Sequence, residues 1–526
     1  MPIFPAKKEM MVNVYGAKCI GIEAVPVTVE IDIMQGIGIH LVGLADAAVK
    51  ESLLRTVTAL QSRGFHIPGR KIVINLAPAD MHKNGSGYDL PIAIGIIAAS
   101  GQGDFPELGN YIVMGELGLD GSVRHVPGAL PMVDLAVKSG RKGCILPVQS
   151  ALEAVDNRMT AVYGVKDIDD VFRILGGREP AADLLIWNSA AAAQGSGDAQ
   201  NADDYPDFAD IIGQEGAKRG LEVAAAGNHN VLLLGQQGVG KTSLARALAG
   251  ILPPMTKEES AVTGRIYSVA GPDRPRAGSM YRRPFRAPSG CVSVAAILGG
   301  GKGDNIMPGE VSLATNGVLF LDEFIELPRT VTEALRGPLE DRTVTVSRLR
   351  SKVTYPASFM LVAASNPCPC GYYGDGDRCT CTPGRRASYL SRLSGPVMDR
   401  IDIQLFLHPV DSGLLMHGTK GEPSSAVAAR VLRAREIQLG RFRDEGIFTN
   451  AEMSVRQTEK FCSLSTACRD LMGGIMERRR LSARACNRIV KISRTIADLR
   501  GEPDILPEHL SEAAGYRFLD RQDGIL

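Results

Sequence analysis

VLLLGQQGVGKTSLARAL, residues 231–248, is the stretch that decides the fold. Residues 231–234 are a fully apolar β-type run. After the loop, Leu244, Ala245, Leu248 and Ala249 recur at helical spacing. Between them stands G-x-x-x-x-G-K-T, from Gly235 to Thr242. In that pattern backbone N–H groups converge on phosphate oxygens, and the helix N-terminus adds a favourable dipole. Gly235, Gly238 and Gly240 let the backbone approach, and Val239 and Ser243 complete the loop. Lys241 suits the β- and γ-phosphates of ATP, and Thr242 suits Mg²⁺. A chance glycine-rich turn would lack the strand before it and the helix after it.

Working outward, residues 317–323 read GVLFLDE, an apolar strand that delivers Asp322 and Glu323 at its end. Asp322 suits Mg²⁺, and Glu323 suits polarising an attacking water. The plain alternative is a helix cap, which the P-loop partner disfavours. Residues 359–369, FMLVAASNPCP, are a third apolar strand with Asn366 just past its end, where it would orient the lytic water. Asn-Pro alone is only a turn signal. Arg392 and Arg400 follow in YLSRLSGPVMDRIDI, and Arg484 stands in RRRLSARACNR. An arginine before a strand is either a surface ion pair or a group reaching across a subunit boundary to transition-state charge. Arg484 is expected to close over the γ-phosphate from within the same chain. The class is α/β.

The rest of the chain supplies context. At 526 residues it suits two or three domains. Lys+Arg 59 against Asp+Glu 58 gives no global basicity, so any nucleic-acid surface must be local. The start, MPIFPAKKEMMVNVYG, has no signal-peptide core, and the most apolar run, 90–99, is half of the roughly 20 residues a membrane span needs. No membrane partner and a cytoplasmic location are expected. Residues 1–10 read as an extension and 11–175 as one α/β unit. In that unit strands are expected at 27–33, with 38–42 its partner, and at 71–76. Helices are expected at 45–63 and 90–99, and a turn at Asp120-Gly121. Residues 176–205 read as a flexible linker, with 184–187 docking on a neighbour. An α/β domain follows at 206–410 and a helical one at 411–526.

Of ten cysteines, six are scattered and read as buried thiols. Cys368, Cys370, Cys379 and Cys381 form C-x-C-x8-C-x-C within the insert 368–381. Four thiolates suit tetrahedral Zn²⁺, although structural sites mostly use C-x2–4-C; reduced or redox-labile loop thiols are the other reading. Basic residues crowd two stretches: Arg265, Arg274, Arg276, Arg282, Arg283, Arg286 and Lys302, and later Arg478, Arg479, Arg480, Arg488 and Arg494. Each is either a phosphate contact or part of a solvated or ion-paired face. Tyr281 and Phe285 are candidate stacking residues.

P-loop, LFLDE, SNP, MDRID and S-A-R in this order resemble an AAA+ ATPase. More narrowly, YRRPFRAP, GEVSLATNGVLFLDEF, ALRGPLED, ASNPCPCGYYGD and SGPVMDRIDI resemble the magnesium-chelatase-like ComM/YifB family, and MVNVYGAKCIGIEAVPVTVEIDI and INLAPADMHKNGSGYDLPIAIGI resemble its N-terminal domain. The resemblance covers all but the first ten residues and the linker. It implies a homo-oligomer, as a hexameric ring, that acts as a helicase on single-stranded or branched DNA. In that family the activity promotes branch migration during natural transformation. It also implies a Lon-protease-like fold at the N-terminus and a helical lid at the C-terminus. Lys241 and Thr242 then match Walker A, Asp322 and Glu323 Walker B, and Asn366 sensor 1. Arg400 matches the arginine finger and Arg484 sensor 2.

There are departures. Gln236 and Gln237 stand where the family commonly has two prolines, and Ser289 and Gly290 where it has a His pair. In Lys83-Asn84-Gly85-Ser86-Gly87-Tyr88-Asp89, Gly87 falls on the Lon nucleophile position, so no peptidase activity is expected. Two readings of another class stand beside the helicase: a remodeller like the magnesium-chelatase ATPase subunit, and a regulatory ATPase acting through partners.

Overall fold

The computed structural model describes residues 11–44, 46–176, 181–188, 205–271, 282–302, 305–348, 352–374, 378–393, 395–410, 413–414 and 420–520. Arg274, Arg276, Tyr281, the first ten residues and most of the expected linker lie outside them.

Among the described residues, seven strands form the N-terminal sheet, in the order Gly38–Val42, Lys71–Ala77, Glu23–Met34, Val12–Ile20, Tyr111–Val113, Gly143–Pro147, Ala161–Val165. The expected strands, helices and turn are present, as Glu23–Met34, Gly38–Val42, Lys71–Ala77, Ala47–Ser62 and Asp89–Ala99, with Asp120-Gly121 joining Glu116–Leu117 to Val123–Arg124. One pairing is corrected. Gly38–Val42 does not pair with Glu23–Met34; it runs parallel to Lys71–Ala77, which separates the two. Lys71–Ala77 has a fully alternating burial pattern, so its backbone can bond on both edges while one face packs. Ile186 is fully buried beside this core, and Leu184 and Trp187 pack on it, as expected for 184–187.

The second sheet is wholly parallel, in the order Phe285–Arg286, Val318–Leu321, Met360–Ser365, Val231–Gly235, Ile403–Leu407. Parallel strands are covered on both faces, which is why three of them read as unbroken apolar runs. Val231, Leu233, Phe320, Val362 and Leu405 face one core, and Leu232, Leu234, Leu319, Leu361 and Ala363 face the other.

The first of these cores is shared with the C-terminal helices. Val427 and Val431 of Ser424–Arg441 and Ile489, Ile492 and Ile496 of Ala483–Arg500 pack into it. The N-terminal unit also touches the unit built on the parallel sheet: Ser268, on helix Lys257–Ala270, accepts from Gly128 N at 2.7 Å and Leu130 N at 3.1 Å, and bonds the Glu153 carboxylate. No helix among the described residues is long and apolar enough to cross a membrane.

Candidate nucleotide-hydrolysis site

The loop of residues 235–240 needs its glycines for two different reasons. Gly238 and Gly240 have φ +78° and +94°, a left-handed conformation that glycine adopts without a Cβ penalty. At Gly235 the limit is space: a Cβ there would lie 2.8 Å from both Leu407 Cβ and Val239 Cγ1. Helix Lys241–Gly250 then starts with its free N–H groups at the loop.

Three neighbouring parallel strands end on this loop, at the carboxyl edge where open α/β sheets bind ligands. Lys241 Nζ donates to Gly235 O at 2.7 Å, Gln236 O at 2.9 Å and Asn366 Oδ1 at 3.1 Å. Burial pushes its pKa down, against the pull of Asp322 and Glu323. The ammonium lies against the loop carbonyls. Thr242 Oγ1 donates to Asp322 Oδ2 at 3.3 Å, and both residues are exposed. Two hard oxygen ligands meeting in the open suit Mg²⁺, which binds by one or two protein oxygens and keeps its waters. Glu323 is exposed with φ +49°, its N–H held by Asp322 Oδ1 at 2.9 Å. That backbone is costly for a residue with a Cβ, and such strain concentrates at functional positions. Ser243 is exposed beside Thr242.

Arg400 and Arg484 are elsewhere. Arg400 precedes strand Ile403–Leu407, and its carbonyl accepts from Asn230 Nδ2 at 2.8 Å. Asn230 is the residue before strand Val231–Gly235, so Arg400 sits at the amino edge of the sheet, roughly 13 Å of strand away from Gly235. Its guanidinium bonds Glu340 and donates to Pro396 O at 2.6 Å. Arg484 Nη1 lies 3.6 Å from Asp399 Oδ2 with its side chain 73% exposed. The expectation that Arg484 closes over its own P-loop is thus corrected. Helix Ala483–Arg500 docks by Arg488, which reaches Asp402 Oδ1 at 3.7 Å and Ile401 O at 3.2 Å, and this carries Arg484 to the edge opposite Lys241. Burial pushes the Asp402 pKa up, but hydrogen bonding from His229 and the charge of Arg488 bring it below the usual carboxylate range. Arg392 pairs with Glu326 at 3.0 Å.

The four clustered cysteines converge, with every Sγ within 4.8 Å of the others. Three separations are 3.3, 3.7 and 3.9 Å. Tetrahedral zinc with sulfur at about 2.3 Å requires sulfurs about 3.8 Å apart, so the set fits that ion. Burial pushes the Cys368 thiol up to about 12, while the Tyr372 backbone hydrogen bond brings Cys370 down to about 6.

The basic stretches divide. Arg283 is held by both Glu259 oxygens at 2.9 and 2.8 Å, and Arg286 by both Glu310 oxygens at 2.8 and 2.9 Å. Arg494 is 3% exposed and bonded to Asp498, Glu502 O and Pro503 O. Arg265 lies 3.5 Å from Asp134. Arg283, Arg286 and Arg494 are structural, because each is locked by several close hydrogen bonds within the fold, whereas the Arg265 pair is looser and partly exposed. Phe285 also belongs inside, stacked on Phe320 at 6.0 Å. Arg282 and Arg478 are exposed. Lys302 ends the first strand of a hairpin, Gly299–Lys302 with Asn305–Pro308. Sequence reading missed a second hairpin, Thr343–Ser347 with Lys352–Pro356, although its strict alternation was visible. Exposed Arg348 and Lys352 stand at its turn, and a Cβ at Gly300 would lie 3.2 Å from Arg348 Nη2, so the two hairpins are neighbours.

In the N-terminal unit, Ser86 Oγ donates to the Glu116 carboxylate and buried Lys83 to Pro78 O, so the two are not bonded to each other.

Known proteins place these features together. Residues 207–415 match the family model "Magnesium chelatase, subunit ChlI", 29–150 "Subunit ChlI of Mg-chelatase", and 421–517 "Magnesium chelatase, subunit ChlI C-terminal". The chain is 41% identical over 512 residues to competence protein ComM of Haemophilus influenzae, covering 97% of each. It is 39% identical over 518 residues to protein YifB of Escherichia coli, again 97% of each. The magnesium-chelatase 38 kDa subunit of Rhodobacter capsulatus is 30% identical over 175 residues, 30% of this chain and 50% of that one. The chain belongs to the ComM/YifB family of magnesium-chelatase-like proteins.

Proposed function

We propose that this protein is an ATP-driven DNA translocase that works as a ring of identical subunits, a hexamer by family analogy, on single-stranded or branched DNA. The observation that carries the ring is the separation of Lys241, Asp322, Glu323 and Asn366 from Arg400 and Arg484 on opposite edges of one sheet, and the likeness to competence protein ComM favours DNA as its substrate. A cation that stabilises charge on a transferring phosphoryl must touch it. Placed on the opposite edge from Lys241, the two arginines are read as meeting a neighbour's nucleotide.

Lys241 then leaves the Gly235 and Gln236 carbonyls for the β- and γ-phosphates. Asn366 and Glu323 orient and polarise the attacking water. Thr242 and Asp322 would hold Mg²⁺, which neutralises phosphate charge when bound. Arg400 and Arg484 of the adjacent subunit neutralise the charge that develops. Cys368, Cys370, Cys379 and Cys381 would hold one Zn²⁺ as a structural ion. The hairpins bearing Lys302, Arg348 and Lys352 would grip phosphates without reading sequence. The N-terminal unit is read as a Lon-like scaffold without peptidase activity, since Ser86 and Lys83 have other partners. Branch migration during uptake of DNA is the process that the likeness to competence protein ComM favours.

The match to magnesium-chelatase subunits favours a second reading, a remodeller of a protein partner. Strand displacement on forked and four-way DNA separates the two. Activity in the wild type that Lys241→Ala abolishes supports the translocase. Helicase activity that survives Lys241→Ala, or ATP turnover that responds to a protein partner and never to DNA, overturns it.

A further inference from the structure

We infer that the four-thiol loop positions the P-loop in a metal-dependent way, with Gln236 as the link. This rests on the reading that the thiols hold Zn²⁺. Three acceptors hold the Lys241 ammonium: Gly235 O, Gln236 O and Asn366 Oδ1. Two of those residues are tied to the thiol loop. Asn366 stands two positions before Cys368 on the same chain. Gln236 Nε2 donates at 3.2 Å to the carbonyl of Tyr373, between Cys370 and Cys379. Gln236 is only 6% exposed, so water cannot readily replace a lost partner there.

The other side of the loop is braced as well. The Arg386 guanidinium stacks 4.5 Å from the Tyr373 ring centroid and donates to Cys381 O at 3.0 Å. Tyr373 is thus held between the P-loop and the segment carrying the last thiol. Four thiolates on one ion would lock 368–370 to 379–381 and fix Tyr373 O under Gln236. Gln236 in turn holds the backbone carbonyl against which Lys241 rests. Gln236 is a positioning residue here, acting through Lys241.

Linkage makes the claim testable from both ends. If zinc favours the nucleotide-binding geometry, nucleotide must raise zinc affinity by the same factor. The full-length protein, purified without chelator, is assayed for zinc and for binding of a fluorescent, non-hydrolysable ATP analogue. One zinc per chain is expected. Extracting it should weaken the analogue about three- to tenfold, the worth of one hydrogen bond, and re-adding Zn²⁺ should restore binding. Gln236→Leu should keep its zinc and its melting temperature, bind the analogue more weakly by a similar factor, and lose the effect of nucleotide on zinc affinity. A zinc content near zero overturns the metal reading itself. Zinc at full stoichiometry, with analogue affinity unchanged by its removal or by Gln236→Leu, overturns the coupling and leaves the metal reading standing. Should chelation unfold the protein, Gln236→Leu with zinc retained decides the question alone.

Discussion

Arg484 Nη1 and Asp399 Oδ2 are 3.6 Å apart, so the arginine of helix Ala483–Arg500 stands beside Arg400 on the sheet edge opposite Lys241. Glu340 bonds Arg400 on the same edge. Both arginines thus lie against carboxylates of their own chain.

Arg400→Ala and Arg484→Ala should each lower the ATPase kcat at least about a hundredfold, the scale for removing one transition-state charge partner, with little change in KM. Neither variant should be rescued by more of itself. Mixing Arg400→Ala with Lys241→Ala should restore part of the rate, because an intact P-loop then meets an intact arginine at mixed interfaces. Absence of any restored ATPase in the mixture would falsify action across subunits.

Glu323→Gln should keep nucleotide affinity and lower turnover by about 10²–10⁴, the range for losing a general base. Asn366→Ala should reduce turnover and also loosen Lys241, whose Nζ it holds at 3.1 Å. Single-turnover hydrolysis beside an equilibrium binding curve distinguishes them. Equal losses of affinity and rate in Glu323→Gln would contradict the assigned role.

DNA binding should fall steeply with salt, and Lys302→Ala, Arg348→Ala and Lys352→Ala should each reduce the log–log slope by about 1. Arg283→Ala should instead unfold the protein at lower temperature, since it leaves buried Glu259 without its bidentate partner. Fluorescence anisotropy over a salt series, with a melting curve for each variant, tests the division. A normal melting temperature and a lowered salt slope for Arg283→Ala would reverse it.

The N-terminal unit carries a pH signature. Asp89 is fully buried, and burial raises its pKa to about 6, against a hydrogen bond from Arg55 at 3.1 Å and one from Leu117 N at 3.2 Å. Its folded pKa exceeds the ordinary carboxylate value of about 3.9, so the folded state holds the proton more tightly, and this group lowers stability as pH rises from about 4 to about 6. Arg55→Leu should push the folded pKa higher still. Its deficit should be small at pH 5, where Asp89 is neutral in both folded proteins, and should grow to about 3 kcal/mol at pH 8, where a buried carboxylate has lost its partner. Denaturant melts at the two pH values check this. A deficit equal at both would show that the pair does not control the titration.

Most of the candidate site's arrangement was legible because its parts are local. A strand end, a glycine turn and a helix start lie within 231–248, and Asp322, Glu323 and Asn366 each sit just past an apolar run that reads as a buried parallel strand. The fate of the arginines was not legible. Arg283 and Arg286 look the same in sequence as Arg282, but their carboxylate partners are 24 residues away and reach them only through packing. The pairing of Gly38–Val42 failed for the same reason: nothing local tells a strand that a later segment, Lys71–Ala77, takes its place beside Glu23–Met34.

By itself, then, the amino-acid sequence determined the family, the α/β class, and the glycine loop with the order of the candidate side chains around it, since backbone conformation and apolar periodicity are short-range properties. Tertiary structure alone decided which edge of the sheet each charge occupies. Arg484 lies 243 positions after Lys241, and the docking of helix Ala483–Arg500 on Asp402 and Ile401 sends it away from that lysine. Screening confines the effect of an exposed charge to roughly 10 Å, so the proposed sharing of the site between subunits rests on this placement.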